Sequence, residues 1–166
     1  MYRNDNRNVI VLTLIFILIV LLIIIGAVKA AAEEEYTDAY IFCMPESSVS
    51  VRERPKKTSF AGGELLAGDI VHLDGKKKNG YYHCVNMANE SGDGWVSCKY
   101  IVFEEPVYIN REAVVISKGR LAARNQINGK VKRWLQPQSI VTIYYMTEEW
   151  CVTDKGYIKT IYLEID

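Results

Sequence analysis

The chain has 166 residues, with 20 Lys+Arg against 20 Asp+Glu and a pI near 6.7, so net charge gives no support to a nucleic-acid binder. With 49% apolar residues and 11 Tyr it is not an acidic disordered tail either. The mean hydropathy of −0.01 hides an uneven distribution, because the apolar residues concentrate at one end.

Residues 9–28 read VIVLTLIFILIVLLIIIGAV, 20 positions without a charge. As a helix this run is about 30 Å long, the thickness of a bilayer core, and it has no polar face. Arg3 and Arg7 precede it, while Glu33, Glu34 and Glu35 follow Lys29. The positive flank places residues 1–8 in the cytoplasm and the rest of the chain outside, as a single-pass membrane protein. The alternative is a secreted form cleaved near Ala32, after the small residues Ala30 and Ala31. Secretory signal cores run about 7–15 residues. The 17 strongly apolar positions of residues 9–25 therefore favour a retained anchor. Without residues 1–32, the outward part carries 17 basic and 19 acidic groups, a net of −2. Residues 29–42 are expected to be a linker.

Beyond residue 40 there is no helical periodicity. Short β-prone runs recur instead: Val49–Arg52, Ile70–Leu73, Tyr81–Val85 and Gly94–Val96, then Leu121–Arg124, Ile140–Tyr145, Trp150–Thr153 and Tyr157–Ile158. Turn signals separate them at Asp74-Gly75, Asn79-Gly80, Gly92-Asp93-Gly94, Asn128-Gly129 and Lys155-Gly156. The two sets overlay in order. Val49–Arg52 matches Leu121–Arg124, residues 68–73 match 138–143, and residues 94–101 match 156–163. The offset falls from 72 to 70 to 62, so the second copy has a shorter final hairpin. Two small all-β modules follow, 43–105 and 106–166, whose thin cores invite mutual contact.

Alternation puts Val49 and Val51 inward, with Ser50 and Arg52 outward. Along Ile140–Tyr145, Val141, Ile143 and Tyr145 share one face; Ile140, Thr142 and Tyr144 share the other. A strand apolar on both faces serves contact between copies or an aromatic surface, or is simply a core strand with a half-buried Tyr144. Trp95 and Tyr157, each after a Gly, are assigned to core packing.

The segments VSVRERP, LLAGDIVHL, GYYHCV and GWVSCKYI resemble the pattern of the bacterial Src-homology-3-like (SH3-like) domain. The first copy carries the pattern well. The second is degenerate, with Gln138 in place of Gly68 and Tyr157 in place of Trp95. The resemblance implies a small open β-barrel for each copy, and it implies binding of cell-wall peptides.

Chemistry is sparse. His83 and Cys84 are neighbours on a strand, so they point to opposite faces and cannot form a dyad. Cys43, Cys84, Cys98 and Cys151 contain no C-x-x-C pair, and neither His completes a zinc site. No phosphate loop, H-E-x-x-H or serine elbow occurs. The expectation is a protein that is not an enzyme and uses no cofactor or metal. An outward location favours a disulfide, with Cys43–Cys84 as first choice over Cys84–Cys98. Lys76-Lys77-Lys78 reads as a solvated hairpin tip. Ligand contacts are expected from Phe60, Tyr81, Tyr82, Tyr144 and Trp150, with Arg54 in the basic cluster of the first long loop. The leading function is noncatalytic, extracytoplasmic recognition of cell-wall peptide or glycan, without nucleic acid. The alternative is an envelope-associated assembly or structural subunit, of a mobile-element or secretion apparatus, that binds another protein.

Overall fold

The computed structural model describes residues 13–21, 36–85 and 92–165. The chain divides into two units, residues 1–35 and 36–166. In the first unit residues 13–21 are helical. Most of the expected 9–28 span, and the Ala30–Ala32 cleavage region, lie outside the described residues. Among the described residues no helix is long and apolar enough to cross a membrane.

The second unit is all β, in two antiparallel sheets of seven strands. The first sheet comprises β1 (Thr37–Ile41), β2 (Val49–Arg52), β3 (Ala61–Leu65), β4 (Ile70–Lys78), β5 (Tyr81–Val85), β6 (Gly94–Ser97) and β7 (Ile101–Val102). The second comprises β8 (Val107–Val115), β9 (Leu121–Arg124), β10 (Val131–Leu135), β11 (Ile140–Met146), β12 (Trp150–Thr153), β13 (Gly156–Lys159) and β14 (Leu163–Ile165). Spatial order is β3-β2-β6-β5-β4-β1-β7 and then β10-β9-β13-β12-β11-β8-β14, the same order displaced by seven strands. The internal repeat is therefore structural.

Each sheet wraps its own core. Ala39, Val51, Leu65, Val71, Cys84, Val96 and Ile101 come from seven different strands and share one buried cluster. Ala113, Ala123, Leu135, Val141, Cys151, Ile158 and Leu163 do the same in the second module. The sheets place these positions inward by simple alternation: β2 and β9 both run buried, half-buried, buried, half-buried.

Matching turns reproduce matching hydrogen bonds. The Gly68 N–H donates to the Ile41 carbonyl, and the Gln138 N–H to the Val115 carbonyl, both at 2.8 Å. Gly68 has φ +88°, a region open to glycine, whereas Gln138 holds φ +66° with a side chain attached. Gln138→Gly is expected to stabilise the second module by about 0.5–1 kcal/mol, less than the αL penalty because glycine also loosens the unfolded chain. Urea unfolding midpoints of the two proteins check this, and an unchanged midpoint refutes it.

Several expectations are corrected. Residues 29–42 are not all linker, because β1 pairs with β4 and β7 and buries Ala39 and Ile41. Asp74-Gly75 is not a hairpin turn. β4 continues through it to Lys78, with the register shifted between Leu73 and Lys77 and Gly75 at φ +78°. The glycine accommodates a bulge, and the hairpin closes at Asn79-Gly80 instead. Lys76–Lys78 therefore lie at the exposed end of a strand.

The disulfide expectation also fails: Cys43, Cys84, Cys98 and Cys151 are all free. The Cys43 thiol faces the Ser47 carbonyl at 3.4 Å, and the Cys84 thiol faces the Tyr82 carbonyl at 4.0 Å. Burial, reinforced by the Asp69 charge, pushes the Cys43 thiol up to about 11. Burial likewise pushes Cys84 up to about 12. Both pack as small apolar core residues and resist forming the thiolate that disulfide exchange needs.

Candidate functional site

The G-W-V and G-Y-I segments fix the site's framework. Gly94 on β6 and Gly156 on β13 stand against the backbone of β2 and β9. A Cβ on Gly94 would lie 2.4 Å from Val51 Cγ1, and one on Gly156 would lie 2.4 Å from the Arg124 carbonyl oxygen. Only glycine permits this approach, and it brings Arg52 opposite Trp95 and Arg124 opposite Tyr157. Alternation then turns the residue after each glycine outward, away from its own module's core. Trp95 is accordingly half-buried on the outer face, its ring centroid 5.0 Å from His83. Tyr157 is buried, but between the modules rather than inside one. Tyr157 is thus packed in a core cluster as expected, whereas Trp95 is not.

Where β2, β6 and β5 adjoin, their outer faces form a surface groove of about 290 Å³. The equivalent strands β9, β13 and β12 form a second groove of about 500 Å³. Seven of the ten residues lining the first groove have repeat equivalents lining the second, so this is one site built twice. Arg52 and Arg124 correspond, as do Tyr81 and Trp150, and Tyr100 and Tyr162. Ser97 corresponds to Lys159, and Ser48 to Arg120. Each Arg is held the same way: its Nη1 donates at 2.7 Å to a carbonyl of the following loop, Ser59 in one module and Gly129 in the other. That bond uses one of five guanidinium N–H groups.

Among the described residues no Asp or Glu lines either groove, whereas Arg52, Lys57 and Lys99 line the first and Lys118, Arg120, Arg124 and Lys159 the second. Both are cationic and aromatic. Arg120 lies over the Trp134 ring at 5.6 Å, and the Lys159 ammonium lies 5.5 Å from the Trp150 ring centroid. The β9–β10 loop touches both sites, contributing Gln126 to the first groove and Asn128 to the second. The first groove is thus completed by a residue of the second module.

The modules meet through an apolar cluster. Phe42 from the first module packs with Trp150, Val152 and Tyr157, and Met44, Val102, Tyr144 and Tyr145 flank them. The Phe42 and Tyr157 rings meet edge-on at 5.9 Å, and the Tyr157 hydroxyl donates to the Phe42 carbonyl at 3.1 Å. Burial pushes the Tyr157 phenol well above its ordinary range, so it remains a donor. A register shift between Ile143 and Tyr145 moves Tyr145 off the core face and into this cluster, while Met146 returns to the core. The mutual contact and the doubly apolar strand expected from sequence are both present. The face that Tyr145 shares is the one changed, by the bulge.

Of the expected ligand residues, Tyr81 and Trp150 line the grooves, at equivalent positions. Tyr82 packs on the first core, edge-on to Phe103 and beneath the Lys77 ammonium at 4.7 Å. Tyr144 belongs to the cluster between modules. Phe60 is 69% exposed and, with Arg54, lies outside both grooves. Arg52, Arg124, Tyr100 and Tyr162 were not selected from the sequence. The signal for them was present, since each is identical to its partner in the overlaid repeats.

His83 and Cys84 do face opposite ways: the thiol is in the core and the imidazole Nδ1 is 2.9 Å from an Asp74 carboxylate oxygen. Burial would raise the Asp74 carboxyl, but hydrogen bonds from the Lys76 ammonium and backbone and from His83 outweigh it and hold it at about 2. Among the described residues no group of three or more His, Cys, Asp or Glu could hold a metal ion.

Fold and site together define an all-β tandem-repeat protein with two equivalent cationic, aromatic surface grooves. No family model matches the chain, and no curated protein matches it. Among solved structures it is similar to NlpC1 from Trichomonas vaginalis, with 16% identity and a TM-score of 0.36, over 82% of this chain and 48% of that one. NlpC2 from Trichomonas vaginalis gives 16% identity and a TM-score of 0.35, over 81% and 50%. The chain spans about half the length of each.

Proposed function

We propose that the chain is a noncatalytic binding protein of the bacterial cell envelope. In this reading its two modules are SH3-like barrels, held outside the membrane by the apolar N-terminal segment, that recognise cell-wall peptide or glycan. The recurrence of one groove in both modules carries the reading. A surface feature rebuilt with the same Arg and Tyr positions on divergent loops points to a shared use, and open grooves with aromatic walls and a few polar groups suit flexible ligands. An assembly subunit would instead be expected to bury a broad apolar face against its partner. Two grooves on one unit raise the effective ligand concentration at the second site once the first is filled.

The test is co-sedimentation of the full chain with purified wall sacculi, read alongside a turbidity assay. Sedimentation without lysis is expected. Tyr81→Ala and Trp134→Ala, each in one groove, should weaken retention about tenfold singly, since aromatic contact residues carry much of such binding, and more than additively together. No sedimentation above a control protein would favour the assembly-subunit reading, and lysis would make the protein an enzyme.

A further inference from the structure

Trp150, a residue that lines the second groove, carries a donor without an acceptor. It is 3% exposed, and its Nε1–H has no hydrogen-bond partner among the described residues. A buried donor left unsatisfied is destabilising, so it calls for a reason. Lys118, Arg120 and Arg124 line the same groove, and none of them forms an ion pair among the described residues. Lys159 covers the indole and is held by one exposed ion pair, 2.8 Å from Glu149. That contact is weak and readily exchanged. Trp134 and Tyr162 supply apolar surface beside the charges.

We propose that the second groove binds a peptide through a free carboxylate. This rests on the wall-binding reading above and supplies the chemical class of its ligand. The carboxylate displaces the Lys159 side chain from the indole, accepts the Trp150 Nε1–H, and is held by the Arg120 and Arg124 guanidinium groups, whose planar forks match it. The peptide's apolar atoms lie against Trp134 and Tyr162. A phosphodiester polymer would meet the same cations but leaves the aromatic walls unused.

The chain has three Trp, so the full chain labelled with nitrogen-15 in detergent micelles shows three indole N–H resonances. Trp95→Phe and Trp134→Phe assign the Trp150 signal by elimination without disturbing Trp150 itself. The probes are acetyl-dialanine with a free carboxylate, its C-terminal amide, and phenyl phosphate. Expected is a saturable downfield shift of the Trp150 signal with the carboxylate, at least tenfold weaker binding of the amide, and about tenfold weaker carboxylate binding in Arg120→Gln. Native sacculi should likewise outcompete sacculi whose carboxylates have been amidated. Equal response to acid and amide, or equal sedimentation with native and amidated sacculi, overturns the carboxylate proposal while leaving wall binding intact. Tighter binding of phenyl phosphate overturns it in favour of a phosphate polymer. No shift with any probe also overturns it, and sedimentation with sacculi then decides separately whether the wall-binding reading survives.

Discussion

Phe42→Ala is expected to destabilise residues 36–166 by about 3–5 kcal/mol, the range for removing a fully buried aromatic ring. Phe42 is 1% exposed and lies at the centre of the cluster joining the modules. Its loss leaves Trp150, Val152 and Tyr157 facing a cavity that the two sheets cannot close, because each is fixed by its own core. The repeat provides an internal control. Ile116 is the equivalent of Phe42, since the Phe42 N–H donates to the Tyr100 carbonyl at 2.8 Å and the Ile116 N–H to the Tyr162 carbonyl at 3.0 Å. Ile116 is 46% exposed, so Ile116→Ala should cost less than about 1 kcal/mol. Beyond the loss of stability, Phe42→Ala should separate one cooperative unfolding transition into two. Urea unfolding followed by tryptophan fluorescence checks both effects. A single transition with an unchanged midpoint would mean that the modules are coupled elsewhere, for instance through Glu104, whose carboxylate accepts the Glu148 N–H at 2.8 Å.

Gly156→Ala is expected to cost a similar 3–5 kcal/mol, from the combined backbone strain and overpacking. Gly156 has φ +128°, and its added Cβ would lie 2.4 Å from the Arg124 carbonyl oxygen, 3.4 Å from the carbonyl carbon and 3.5 Å from the amide nitrogen. These are backbone atoms, so no side chain can rotate aside. Relief requires β13 to move off β9, which breaks the Tyr157–Arg124 register and displaces the arginine of the second groove. Ligand retention by the second groove should fall with stability while the first groove keeps its contacts. Gly62→Ala is the comparison: nothing lies within 4 Å of its added Cβ, and its stability should change by less than about 0.5 kcal/mol. Thermal unfolding of the two variants tests the contrast, and equal midpoints would refute the close-approach account of the glycine.

Strands with regular alternation were legible from residues alone. β2, β9 and the first half of β11 bury every second side chain, so their apolar pattern and their inward faces agree. β3 and β10 were not legible, because each buries only its last residue, Leu65 or Leu135, and an edge strand with four exposed or half-exposed positions carries no period. β1 was hidden in an apparent linker for a related reason: its pattern is short, and it becomes a strand through pairing with β4 and β7. At the grooves, Tyr81 and Trp150 were identified as rings beside loops. Arg52 with Arg124 and Tyr100 with Tyr162 are identical pairs in the overlaid repeats, a signal that the pattern of a single strand does not carry.

The sequence by itself determined the repeat: the order of strands, the glycines that let β6 and β13 approach their neighbours, and the free choice of loop length between them. These are local matters of chirality, pleat and turn chemistry, which act within a few residues. Only the tertiary structure decided the use of each outer face. Tyr81, His83 and Trp95 in the first module correspond to Trp150, Val152 and Tyr157 in the second, yet the first set is half-buried and the second lies against Phe42. Apart from Val152 in place of His83, the two sets are alike in character, and burial of an outer face depends on what another module presents to it. Phe42 supplies that partner surface 108 residues before Trp150, and the geometry that brings them together belongs to the folded chain.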